Sequence, residues 1–208
     1  MTHDRRSATV RIGSLMGVRI MVPDRFVRAL DAFEGVLAAT PSDRWLSPSP
    51  CEGWRAVDVA GHVTAGLLVV EARAVGRPLP EADPDWRELA GEDPAATWRR
   101  VRAEMMATLV PDALARRIQL AIGHEITLSE WLENYPLELV VHAWDLAQAT
   151  GQSVVFDPDL VRSALETAQW LARRVREAGK VGPEGAVAED ADDQTRLLAV
   201  MGRSPFGN

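Results

Sequence analysis

Apolar residues recur every three or four positions along most of this chain, and proline, glycine and capping acids fill the intervals between the stripes. Phe26, Leu30, Phe33 and Leu37, with Val27 alongside, mark an amphipathic helix from Asp24 to Ala39 that packs on one side. Pro41-Ser42-Asp43 stops it, and a Pro/Ser-rich loop leads to Pro50. A second helix is predicted from about Trp54 to Val75, ended by Gly76 and Arg77-Pro78. It is apolar over much of its circumference, as a central bundle helix is. Residues 78–91 read as a loop. Asp93-Pro94 then gives a cap followed by proline at the first helical position, and Trp98, Val101, Met105 and Leu109 form the stripe of a third helix.

Ile118, Leu120 and Ile122 alternate with Arg117, Gln119 and Ala121, which predicts a short strand or an extended connection. Helical periodicity resumes at Leu128 and runs to Thr150, with Gly151 as the stop. Pro136 falls inside this run, so the helix must kink there or begin there; the reading favours a kink. Asp157-Pro158 opens a further helix with Val161, Leu165, Ala168, Leu171 and Val175 on one face, closed by Gly179. A short closing helix is placed around Gln194 to Met201. Strand–helix alternation of the doubly wound kind is missing. The prediction is an all-α, four-helix bundle with at least one long connection. Before it, Val10, Ile12, Leu15, Val18 and Ile20 are broken up by Arg11, Gly13, Gly17 and Arg19. Residues 1–22 are therefore expected to be a mobile N-terminal extension, and residues 23–208 one domain.

Composition narrows the function classes. The 208 residues are 47% hydrophobic and 25% charged, as in an ordinary globular protein with a sizeable core. A net charge of −7 with scattered arginines argues against nucleic acid as a partner. Arg99-Arg100 and Arg173-Arg174 read as solvated helix faces. No apolar run reaches the roughly 20 residues of a membrane span, and the first 21 residues lack the apolar core of an export signal. The single cysteine, Cys51, forbids an internal disulfide and suits a cytoplasmic location.

The candidate chemistry lies in three side chains. Glu138 and His142 are one helical turn apart on one face. His62 sits in Asp58-Val59-Ala60-Gly61-His62-Val63 on the second helix. Two imidazoles and a carboxylate converging from two helices bind a divalent metal and leave positions open for water or substrate. Spacing alone permits a plainer reading, a glutamate–histidine surface pair plus a satisfied core histidine. Asp58 precedes His62 by four residues and either orients its imidazole or complements the helix N-terminus. Asp145, three residues after His142, allows the same two roles. Cys51 reads as a small residue that packs its loop, His124 as an exposed loop residue, and Trp54 and Trp144 as helix-packing rings. Neither a Ser-His-Asp arrangement nor a phosphate loop is present in the sequence.

Pro50-Cys51-Glu52-Gly53-Trp54 with Asp58-Val59-Ala60-Gly61-His62 resembles the opening motif of actinobacterial proteins of the DinB-like superfamily. That superfamily includes the N-terminal domain of mycothiol-dependent maleylpyruvate isomerase. Glu138 to Ala147 followed by Ala149-Thr150-Gly151 is similar to its second signature, and Asp193 to Arg203 to its tail. The resemblance covers roughly residues 23 to 205. It implies a four-helix bundle with a metal held by His62, Glu138 and His142. The donor set suits zinc first, with iron(II) or nickel also accommodated. It further implies a metal-dependent isomerase or thiol S-transferase, monomeric or homodimeric, acting on a small molecule with mycothiol as co-substrate. A non-catalytic metal-binding or small-molecule-binding module is the alternative. The chain departs from its relatives where many have three histidines and it has Glu138, at Arg55 where a capping residue is common, and in lacking room for the isomerase's additional C-terminal domain.

Overall fold

Aspartates and prolines set the starts of most helices. The computed structural model describes residues 20–120 and 123–204, so the expected N-terminal extension lies almost wholly outside the described residues. Helix α1 (Asp24–Ala38) follows Pro23 and buries Phe26, Leu30, Phe33 and Leu37. Helix α2 (Ala56–Val75) opens where Asp58 Oδ2 accepts the Arg55 backbone N–H at 2.8 Å, and it closes at Gly76, left-handed at φ +72°. A short α3 (Trp86–Ala90) is capped by Asp85. Next come α4 (Pro94–Thr108), capped by Asp93, and α5 (Pro111–Leu114). Strands β1 (Arg117–Gln119) and β2 (Glu125–Thr127) pair antiparallel with Ile118 opposite Ile126. After them run α6 (Leu128–Asn134), α7 (Pro136–Thr150), α8 (Pro158–Glu177) and α9 (Asp193–Val200). No helix among the described residues is long and apolar enough to cross a membrane.

Two expectations about elements are corrected. Residues 78–91 hold α3, whose five residues are too few to show a stripe. The run from Leu128 to Thr150 is two helices rather than one kinked helix. Pro136 has no N–H to donate, and it takes the first position of α7, where none is needed. Tyr135 keeps helical angles (φ −66°, ψ −24°), so the chain restarts at once. The alternating segment resolves into the β1–β2 hairpin, although its residues 121–122 lie outside the described set.

Helix α7 is the centre of the bundle. It packs on α1, α2 and α8, and nearly every one of its residues is buried. This makes the helices that carry His62 and His142 neighbours, as a shared site requires. Phe33 of α1 meets Trp98 of α4 at 4.7 Å between rings, and Phe26 meets Tyr135 edge-on at 5.6 Å. Such rings each remove a large apolar area from water.

A glycine lets α3 lie directly on α2. A Cβ built on Gly61 would stand 1.8 Å from the Trp86 carbonyl oxygen, a backbone atom that no rotamer change can move. Gly61→Ala should therefore displace α3 and carry Trp86 away from His62. We expect a loss of about 1–3 kcal/mol in thermal unfolding, together with a shifted tryptophan emission. An unchanged melting curve and spectrum would contradict this packing.

Candidate metal centre

Helix α2 supplies His62, the first turn of α7 supplies Glu138, and the next turn supplies His142. His62 Nε2 lies 2.8 Å from Glu138 Oε1, and His142 Nε2 lies 3.3 Å from the same oxygen. The two imidazoles are edge-to-face with centroids 4.9 Å apart. One ligand atom from each residue falls within 4.8 Å of the others. Donors bound to one ion at about 2.0–2.2 Å stand roughly 3 to 3.5 Å apart in tetrahedral or octahedral geometry, a spacing that the two separations to Glu138 Oε1 approach. The His142 side chain is 11% exposed, whereas His62 and Glu138 are 28% and 43% exposed, leaving the centre open on one side.

Behind His142 stands a second layer. His142 Nδ1 donates to Asp145 Oδ2 at 2.9 Å, and Asp145 is fully buried. Arg203, beyond the end of α9, grips the same carboxylate with Nε on Oδ1 at 3.1 Å and NH2 on Oδ2 at 2.7 Å. The Cys51 thiol donates to Asp145 Oδ2 at 3.2 Å and lies 4.0 Å from His142 Nδ1. Aromatic rings wall the front. Trp54 stands 4.8 Å from His62 and nearly parallel to His142 at 6.2 Å, while Trp86 meets His62 edge-on at 5.1 Å.

The electrostatics follow from this crowding. The partial desolvation of Glu138 favours its neutral form, but the charge of His142 and the hydrogen bonds from His142 and His62 hold its carboxyl well below the usual range. Burial also opposes charge on His142. Glu138, with the hydrogen bonds to Asp145, Cys51 and Glu138, outweighs it and raises the imidazole well above its ordinary value. A cation that takes the Nε2 position replaces a proton the site already attracts. Desolvation pushes Asp145 up, yet His142 and Arg203 bring it down to about 2.

His62, Glu138 and His142 thus come together. The other side chains weighed from the sequence are placed as follows. Asp145 touches His142 as an orienting partner. Asp58 is 2.8 Å from the Arg55 N–H instead of His62, so its role is at the helix start. His62 Nδ1 is buried and has no hydrogen-bond partner among the described residues. Cys51 packs against the core from its loop, as expected, but its thiol also belongs to the polar cluster. His124 is exposed in the hairpin, and Trp144 is a buried packing ring. Trp86 carried no local signal, and Arg203 was marked only as the end of the tail motif, with nothing to name its partner. Arg203 is 58 residues from Asp145, and Trp86 lies in a segment with no stripe.

Comparison with known proteins places the chain. The family model of the mycothiol maleylpyruvate isomerase N-terminal domain matches residues 26–147, which contain all three converging side chains. The chain belongs to this family. An uncharacterised protein of Mycobacterium tuberculosis is 31% identical over 179 residues, covering 85% of this chain and 94% of that protein. The crystal structure of the mycothiol-dependent maleylpyruvate isomerase superposes with a TM-score of 0.61 at 18% identity, over 90% of this chain and 92% of that one. A histidine-to-alanine mutant of that enzyme superposes at 0.55 with 20% identity, over 82% of this chain and 77% of that one. These likenesses establish the helical, DinB-like fold.

Proposed function

We propose that this family member is a metal-dependent enzyme that activates a low-molecular-weight thiol or water for attack on a small electrophile, of isomerase or thiol S-transferase type. The observation that carries the reading is the convergence of His62, Glu138 and His142 on one half-open face. Membership of the mycothiol maleylpyruvate isomerase family supports mycothiol as the thiol. The donor set suits zinc first, then iron(II) or nickel. When bound, such an ion supplies Lewis acidity and lowers the pKa of a thiol or water beside it. The cytoplasm, with its reduced thiol pool, is the proposed setting, and residues 23–208 the proposed domain.

The chain's own residues divide the remaining work. Glu138 brings the negative charge that offsets part of a divalent charge. Asp145 accepts a hydrogen bond from His142 Nδ1, which would keep Nε2 free to hold an ion. Trp54 and Trp86 shield one side of the centre from water, and the exposed edge of Glu138 leaves entry for a small molecule. All three donors come from one chain, so a monomer suffices and a homodimer is compatible.

The alternative reading is a non-catalytic metal-binding or small-molecule-binding module. A cavity of about 630 Å³ lined by Trp45, Leu46, Val57, Asp85 and Arg87, and another of about 270 Å³ beside Trp170, both leave His62, Glu138 and His142 outside their walls. Turnover decides between the readings. Zinc-loaded protein mixed with mycothiol and a panel of small electrophiles, maleylpyruvate included, should give thiol-dependent isomer or conjugate by mass spectrometry. Glu138→Ala should abolish it. Stoichiometric zinc with no turnover across the panel would favour the module.

A further inference from the structure

His142 presents a possible metal site on each side of its ring. On the Nε2 side stand His62 and Glu138; on the Nδ1 side stand Cys51 and Asp145, and each set of three donors lies within 4.8 Å. A thiolate, an imidazole and a carboxylate suit a soft divalent cation at least as well as two imidazoles and a carboxylate do. Donor chemistry alone therefore does not choose the side. We infer that Arg203 makes the choice, gripping Asp145 so that its carboxylate serves His142 Nδ1, and filling the corner between Cys51 and Asp145 with positive charge. The inference rests on the metal-centre reading above.

The geometry is built for this role. Gly202, left-handed at φ +72°, turns the chain back after α9, and the Arg203 N–H bonds the Leu198 carbonyl at 2.8 Å. The guanidinium then enters the cluster with its side chain only 10% exposed. It spends NH1 on the Met201 carbonyl at 2.8 Å, Nε and NH2 on the two oxygens of Asp145, and approaches Cys51 Sγ with NH2 at 3.5 Å. A guanidinium stays charged at any working pH, so a second cation in this corner meets fixed repulsion. It also occupies the Asp145 lone pairs that such a cation would need. Arg203 is thus a positioning residue: it acts on the ion through Asp145 and His142 and touches no donor of the Nε2 side.

Cadmium(II) titrated into the metal-free full-length chain reads the choice, because thiolate coordination gives an ultraviolet charge-transfer band. In the wild type the first equivalent should bind without that band. Arg203→Met should show the band as the Cys51 corner opens. Its zinc affinity, measured by chelator competition, should fall about 10- to 100-fold, the usual effect of losing an outer partner of a ligating histidine. Arg203→Lys keeps the charge without the two-pronged grip, so it should lose zinc affinity and show no band. That variant also carries the test if the methionine protein does not fold. A band in the wild type or in Arg203→Lys, an Arg203→Met protein that folds without one, or zinc affinity unchanged in Arg203→Lys overturns the inference. A wild type that binds no ion while folded Arg203→Met gains the band would refute the metal-centre reading and still support exclusion by Arg203.

Discussion

Asp145→Ala is expected to destabilise the protein by about 3–5 kcal/mol, the loss typical of removing one partner from a buried ion pair. The carboxylate is fully buried and has three donors: His142 Nδ1, Arg203 and the Cys51 thiol. Its removal leaves the guanidinium and the imidazole facing each other with no anion between them. For a domain of this size such a loss lowers the melting temperature by on the order of 10 °C. The pH dependence has a definite sign. The folded carboxyl titrates at about 2, below its unfolded value near 3.9, so its contribution is complete above that unfolded value and is lost as the pH falls towards 2. The stability gap between wild type and variant, measured on metal-free protein by denaturant unfolding, should therefore narrow between about pH 4 and 2. A gap below about 1 kcal/mol near neutral pH would mean that the cluster does not hold the tail to α7.

His62→Ala should behave in the opposite way, losing the ion while keeping the fold. Its imidazole is 28% exposed, Nδ1 has no partner among the described residues, and Glu138, which loses the Nε2 contact, is 43% exposed and keeps His142. The metal-free variant should unfold within about 1 kcal/mol of the wild type. Zinc affinity should collapse. Structural zinc sites are worth about 10–16 kcal/mol, and an even third of that is roughly 3–5 kcal/mol, or two to four powers of ten in affinity. His142→Ala should lose zinc to a similar degree and also some stability, since it strips Asp145 of one donor. Stoichiometric zinc retained in the His62→Ala/His142→Ala double variant would falsify the assignment of ligands.

These contrasts show how far the sequence reaches. The main helices were legible because their stripes are long and their ends carry Asp-Pro starts or glycine stops, as at Asp157-Pro158 and Gly151. The pairing of Glu138 with His142 was legible because helical geometry fixes residues four apart on one face. The approach of His62 needed the resemblance, since periodicity shows that a helix is buried without naming its neighbour. Pro136 was ambiguous because the apolar stripe runs on through it, although a first position suits proline better than a helix interior, and Tyr135 keeps helical angles across the junction. Asp58 and Asp145 offered the same local pattern and resolved oppositely, one into a cap and one into a histidine partner. The return of the chain after Gly202 brings Arg203 to Asp145, and the tail motif that ends at Arg203 marked the residue without naming that partner.

The ligand shell of bound zinc tests the central claim most directly. X-ray absorption on the wild-type protein loaded with one equivalent should show nitrogen and oxygen neighbours at about 2.0–2.2 Å, with two imidazoles among them and no sulfur. A zinc–sulfur distance near 2.3 Å would place the ion on the Cys51 side of His142, and failure to take up one equivalent would remove the metal centre altogether.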